Sequence, residues 1–146
     1  MHCRFIRIRK SKKEILSFMQ KNNITAIFID SRYFISKKLA ERLYLLSERR
    51  FKRGENITKS IEIEFLLYHS LKEQIKDAMD IGLKEDCHTY AIISKQNIDK
   101  LIAFAGEEIK VNQIVYPEVN RSFGDGKIER LENYITENAA LLIVKR

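Results

Sequence analysis

Hydrophobic positions fall along this chain at two periods, and the switches between them set the expected order of elements. Residues 3–9, Cys-Arg-Phe-Ile-Arg-Ile-Arg, alternate imperfectly, with Phe5, Arg7 and Arg9 opposed to Arg4, Ile6 and Ile8. That is the pattern of a strand with one basic face. Ser11-Lys12-Lys13-Glu14 has the form of a capping box, in which the Ser11 hydroxyl accepts from the Glu14 amide and the Glu14 side chain reaches back. The helix predicted after it carries Ile15, Leu16, Phe18 and Met19 and ends near Asn22-Asn23. Ile24 to Ile29 reads as a buried strand closed by Asp30-Ser31, a helix-start signal. The next helix is predicted from about Arg32 to Arg50, with Ile35, Leu39, Leu43 and Leu46 at helical spacing, and Gly54 breaks the pattern.

The stretch from Asn56 to Gly82 organises the chain. Asn56, Thr58 and Ser60 make a polar start, Phe65, Leu66 and Leu67 an apolar run, and Leu71, Ile75, Ala78 and Met79 an amphipathic second segment. Gly82 stands where a C-cap glycine belongs. Ile61-Glu62-Ile63-Glu64 alternates like a strand, but the uninterrupted Phe-Leu-Leu-Tyr behind it and the lack of turn residues favour two helices. Thr89 to Ser94 is a further buried strand, and Asn97 caps a helix carrying Ile98, Leu101, Ile102 and Ala105 that Gly106 closes. Glu108 to Tyr116 is weakly patterned and suggests a last strand before Pro117. Phe123-Gly124-Asp125-Gly126 reads as a turn. A final helix from about Lys127 places Ile128, Leu131 and Ile135 on one face and runs into the apolar tail Ala139–Val144. The expected fold is α+β: a small mixed or antiparallel sheet packed by several helices, as a single domain over residues 1–146.

The totals agree with a folded domain. A chain of 146 residues with 45% hydrophobic and 32% charged residues has enough apolar surface for a core and argues against disorder. Charge changes the picture more. The net value is +7, and residues 1–13 hold six basic groups and no acidic ones, while residues 37–59 hold eight basic and three acidic. Such asymmetry suits a polyanionic partner on one surface. Two distant cysteines, Cys3 and Cys87, without a Cys-x-x-Cys pair, suggest a reducing, cytoplasmic setting. The first residues lack the apolar run of a signal peptide, and no run approaches the length of a membrane span.

Candidate chemistry is sparse. His2, His69 and His88 lie at no ligand spacing from one another, and Cys87-His88 are adjacent and would point apart on a strand, so no metal site is expected. Cys87 with His69 or His88 has the residue types of a Cys/His nucleophile, but a buried structural cysteine accounts for it better. Asp125 with Glu129, and Glu62 with Glu64, are explained by caps and helix solvation rather than as acid/base pairs. Gly124-Asp125-Gly126-Lys127 lacks the glycine pattern and the Ser/Thr of a phosphate loop.

The basic stretch Arg49-Arg50-Phe51-Lys52-Arg53 is the stronger signal. It runs into Asn56, Lys59 and Ser60. If Asn56 or Thr58 caps the next helix, free amides would lie beside these cations as an anion site, with Phe51 available to stack a base. The competing reading is a solvated helix end, where basic residues are favoured by the dipole. The apolar tail either returns to the core or docks on another protein.

One resemblance joins these features. Asn56-Ile57, Ser60-x-Glu62-x-Glu64-Phe65-Leu66-Leu67-Tyr68, Gln74-Ile75-x-x-Ala78 and Ile81-Gly82, after a helix containing Ala40 and a strand ending at Asp30, resemble the kinase-binding small subunit of the KEOPS (EKC) complex, the PRPK-binding-protein family. The tail Ala139-Ala140-Leu141-Leu142 resembles its archaeal members. The resemblance implies an α+β protein with no activity and no cofactor of its own. Its expected partners are the N-lobe of a small atypical kinase/ATPase and, through it, the threonylcarbamoyl-transferring subunit. It would also recruit tRNA by the single-stranded 3′ CCA end. On that reading Arg49, Arg50, Lys59 and Ser60, with Arg32 and Lys37 further out, are the expected tRNA contacts, and Tyr134, Ala139, Leu142 and Ile143 the expected kinase contacts. The rival expectation is a stand-alone basic RNA-binding protein, and a small enzyme ranks third.

Overall fold

Four antiparallel strands and five helices make up the described part of the chain, an α+β fold. The structure is a computed structural model that describes residues 1–70, 81–85, 88–110 and 128–141. The elements run β1 (His2–Ile8), α1 (Lys12–Lys21), β2 (Ile27–Asp30), α2 (Lys37–Arg53), α3 (Ile61–Ser70), β3 (Thr89–Ser94), α4 (Asp99–Ala105), β4 (Gly106–Ile109) and α5 (Ile128–Leu141). They divide into two compact units: Met1–Arg32 with Gly82–Asn112, and Tyr33–Ile81 with Gln113–Arg146. The second segment of the expected helix pair, Cys87, the turn at residues 123–126 and the last part of the tail lie outside the described residues.

The first unit holds the sheet, in the order β2-β3-β1-β4. Its register pairs Ile6 with Tyr90 and Phe28 with Ile92. These residues and Ile8 form one core with Ile15 of α1 and Leu101, Ile102 and Ala105 of α4. Both parities of β2 and β3 are buried, Ile27, Ile29, Ala91 and Ile93 included. That explains why the two strands read as apolar runs rather than as an alternation. β1 keeps its alternation at its end, where Ile6 and Ile8 are buried and Arg7, between them, is exposed. The α1 capping box forms as its sequence predicts, with Ser11 Oγ accepting from the Glu14 amide and Glu14 accepting from the Ser11 amide, each at 3.2 Å.

Gly106 ends α4 and begins β4 without a connecting loop. A Cβ at this position would sit 2.0 Å from the Arg7 carbonyl oxygen, so the close pairing of β4 on β1 requires glycine here.

The second unit packs α2, α3 and α5 together. α2 starts five residues later than the sequence suggests. The signal at Asp30-Ser31 opens a turn rather than the helix: the Asp30 carboxylate accepts the Arg32 amide at 2.9 Å, accepts from the Arg32 guanidinium at 2.8 Å and pairs with Lys84 at 3.2 Å. Ser36 is the cap, accepting from the Leu39 amide at 3.1 Å and donating to the buried Glu132 of α5. From there Leu39, Ala40, Leu43, Tyr44, Ser47 and Arg50 form the buried stripe. Helix α2 continues to Arg53 and stops in a Schellman turn: Gly54 is left-handed at φ 71°, its amide donates to Phe51, and the Glu55 amide donates to Arg50 at 2.9 Å. Helix α3 is apolar on nearly every side, and Phe65, Leu66, Leu67 and Tyr68 are all buried.

Candidate nucleic-acid interface

The turn after α2 leads into the loop of residues 54–60, which the sequence marked as an opening for an anion. Ser60, rather than Asn56 or Thr58, caps α3. Its hydroxyl accepts from the Ile63 amide at 3.2 Å, and its carbonyl accepts the Glu64 amide at 3.0 Å. Asn56 instead donates to the Thr58 carbonyl at 2.7 Å and shapes the loop.

Two of the loop amides, those of Ile57 and Thr58, are not open to a ligand. The Glu64 carboxylate, with no solvent exposure, accepts the Ile57 amide at 3.1 Å and the Thr58 amide at 2.7 Å. The Thr58 hydroxyl also donates to it at 2.7 Å, and the Tyr68 hydroxyl donates from one helical turn further on. The anion cradled by the loop is therefore a side chain of the chain itself. Four donors on one carboxylate satisfy a buried charge that would otherwise be costly. Burial and the bond to Glu64 push the Tyr68 hydroxyl well above the usual phenol range, so it stays a donor.

Arg50 departs most from its expected surface role. It is 7% exposed. Its guanidinium donates to the Ala139 and Ala140 carbonyls of α5, each at 3.1 Å, and lies 4.9 Å over the Tyr68 ring. Arg49, Lys52, Arg53 and Lys59 are exposed around the same loop, and Phe51 and Ser60 are half-buried. The structure thus brings Arg49, Lys59 and Ser60 to one end of α2 and its following loop. Lys37 is exposed at the opposite end of α2. Arg32, in the first unit, is exposed but committed to Asp30.

Of the expected kinase contacts, Tyr134 is 42% exposed on α5, whereas Ala139 is fully buried. Ala139 is a core residue because it faces inward with Ile135, four residues earlier. Leu142 and Ile143 lie outside the described residues. Among the described residues, Leu141, 48% exposed, is the large apolar side chain exposed at this end of α5.

The sequence pattern does not by itself reveal Thr58, Glu64 and Tyr68 as one cluster. The available signal is a single acidic residue inside the apolar run Ile63–Tyr68, with a tyrosine four positions later on the same helical face.

Charge is distributed differently from the simple segment count. The first unit holds 12 basic and 7 acidic residues, a net +5, and the second 15 and 13, a net +2. In the first unit Arg4 pairs with Asp99 and Glu108, and Arg9 with Glu107 at 2.6 Å. Among the described residues, Arg7, Lys10, Lys12 and Lys13 make no ion pair. Exposed cations are therefore present on each unit, and those of the second include Arg49, Lys52, Arg53 and Lys59 around the Glu64 loop.

Among the described residues no group of three or more His, Cys, Asp or Glu side chains is arranged to hold a metal ion, and no helix is long and apolar enough to cross a membrane. No family model matches the chain, and no curated protein matches it.

Proposed function

We propose that this chain is a non-catalytic small subunit of a KEOPS-type complex. It binds the small atypical kinase/ATPase subunit and recruits tRNA by its 3′ CCA end for threonylcarbamoyladenosine modification in the cytoplasm. The observation that carries the reading is the Ser60-x-Glu62-x-Glu64-Phe65-Leu66-Leu67-Tyr68 stretch. These residues resemble the family, and they build one element in which Ser60 caps the helix, Phe65 to Tyr68 fill the core and Glu64 closes the loop. A stretch spent on holding a loop and a core fits a recognition subunit. The exposed Arg49, Lys52, Arg53 and Lys59 beside the half-buried Phe51 supply the phosphate and stacking groups that a single-stranded RNA end requires.

The deciding experiment compares binding of intact tRNA and of tRNA lacking its CCA end, across salt, together with co-elution of the kinase subunit. Weaker binding of the trimmed tRNA and a stable kinase complex are the expected results. Equal binding of both tRNAs would place the contact on general basic surface, the first unit's lysines included. Tight, CCA-dependent RNA binding with no kinase complex would favour a stand-alone RNA-binding protein.

A further inference from the structure

Tyr68 serves two parts of the second unit with two parts of one side chain. Its hydroxyl donates to Glu64, and Glu64 in turn holds the Ile57 and Thr58 amides. Its ring lies under the Arg50 guanidinium, whose two terminal nitrogens reach the carbonyls of Ala139 and Ala140. Helix α5 has no basic residue of its own in its last turn. Arg50, from α2, supplies the cation and the donors that carbonyls at a helix C-terminal end attract. A lysine could reach one carbonyl, whereas the planar fork of arginine reaches two in a fixed geometry.

We propose that Arg50 and Tyr68 are positioning residues with separable roles. Arg50 fixes the end of α5, where Leu141 is presented to a protein partner. The Tyr68 hydroxyl, acting through Glu64, fixes the loop between α2 and α3, where Lys59 and Ser60 are presented to RNA. The identity of the two partners rests on the function proposed above; the division of labour rests on the geometry. Arg50 then contributes nothing to phosphate binding, despite standing between Arg49 and Phe51 in the basic stretch. Freeing it would strip two carbonyls and an aromatic face of their cation.

The test uses the full chain and three variants, Arg50→Gln, Arg50→Lys and Tyr68→Phe. Amide hydrogen exchange is read at residues 57–58 and at the end of α5. Affinities are read for the kinase subunit and, across salt, for an RNA oligonucleotide ending in CCA. Arg50→Gln is expected to speed exchange at the end of α5 and to weaken kinase binding on the order of tenfold, a typical consequence of removing bonds from a charged donor. Its RNA salt slope should equal that of the parent. Arg50→Lys should recover part of the kinase affinity. Tyr68→Phe keeps the ring under the guanidinium and the two Arg50–carbonyl bonds, and removes the hydroxyl, which donates to Glu64 and also interacts with Arg50. It should speed exchange at residues 57–58 and weaken RNA binding, with kinase affinity unchanged within about twofold.

A drop of about 0.7 in the RNA salt slope of Arg50→Gln would make Arg50 a phosphate ligand and overturn the proposal. Exchange that rises equally in both regions for either variant would overturn it too. If the parent chain binds neither partner, the function proposed above falls, and the exchange pattern alone decides whether the two positioning roles stand.

Discussion

The Thr58 amide donates to Glu64 at 2.7 Å, so a carboxylate with no solvent exposure closes the loop that precedes its own helix. Removing that carboxylate strands two amides and the Tyr68 hydroxyl, while the Thr58 hydroxyl keeps the Ser60 carbonyl at 2.9 Å. Glu64→Ala should destabilise the protein by about 3–5 kcal/mol, read from denaturant unfolding. Glu64→Gln retains an acceptor and should cost less. Equal stability of Glu64→Ala and parent would show that the loop does not depend on this group.

Lys59 and Arg49 are exposed beside that loop. Replacing both with glutamine should reduce the salt slope of single-stranded RNA binding by about 1.4, at roughly 0.7 for each phosphate no longer neutralised. The thermal midpoint should hardly move, because exposed charges contribute little to stability. An unchanged slope would locate the RNA elsewhere.

His69 is 4% exposed, stacks on Phe65 at a centroid distance of 5.8 Å, and its Nε2 has no hydrogen-bond partner among the described residues. Burial pushes its imidazole down to about 4. An unfolded histidine titrates near 6.5. Between those values the unfolded chain binds a proton that the folded chain refuses, so stability rises with pH across this window and is lost as pH falls. The slope should be about 1.4 kcal/mol per pH unit, measured as unfolding free energy between pH 6.5 and 4. His69→Phe should flatten it.

Asp30 responds at lower pH and for a different reason. Burial alone would push its carboxyl up. The hydrogen bonds from Arg32 and Lys84 outweigh burial and hold it below the usual carboxylate range. Its contribution is therefore present above the unfolded value of about 3.9 and lost as pH falls through the lower folded value. Asp30→Asn should cost on the order of 2 kcal/mol at neutral pH and remove this part of the acid transition, as followed by circular dichroism. Acid sensitivity unchanged in the variant would exclude Asp30 as its source.

Two glycines should fail in different ways. At Gly106 a methyl group meets the Arg7 backbone carbonyl at 2.0 Å, so Gly106→Ala must push β4 away from β1. Its cost should fall in the range of about 1–3 kcal/mol that overpacking brings. At Gly54 nothing lies within 4 Å, but φ is +71°. Gly54→Ala should cost about 1 kcal/mol through backbone strain alone. Denaturation midpoints of the two variants test the ranking, and faster amide exchange along β4 should accompany only the first.

Much of the fold could be read from local pattern. The capping box of α1, the strand Thr89–Ser94 and the stop at Gly54 each depend on residues within a few positions of one another. So does α3, where the alternation at Ile61–Glu64 points to a strand and the apolar run behind it to a helix; the helix is what forms. The start of α2 is misleading in the sequence because Asp30-Ser31 has the right residue types for a cap. The Asp30 carboxylate does accept the Arg32 amide, but the turn this makes does not continue into a helix, and the further pairing with Lys84, distant in sequence, is contained in no local rule.

The site divides along the same line. The sequence by itself determined that cations cluster at the end of α2, that a polar stretch including Ser60 precedes a helix, and that the chain carries an apolar helix at its core. Those are properties of composition and period. Only tertiary structure decided which charges remain available. Arg49 and Arg50 are neighbours in sequence, yet the step of about 100° between successive helical residues turns Arg49 to solvent and Arg50 inward onto Tyr68 and the carbonyls of Ala139 and Ala140. The Ile57 and Thr58 amides likewise belong to Glu64 rather than to an incoming phosphate, because folding α3 returns that carboxylate to the turn in front of it. A charge count sees every ionic group as free; packing assigns partners, and a group buried with its partners already satisfied has no reason to leave them.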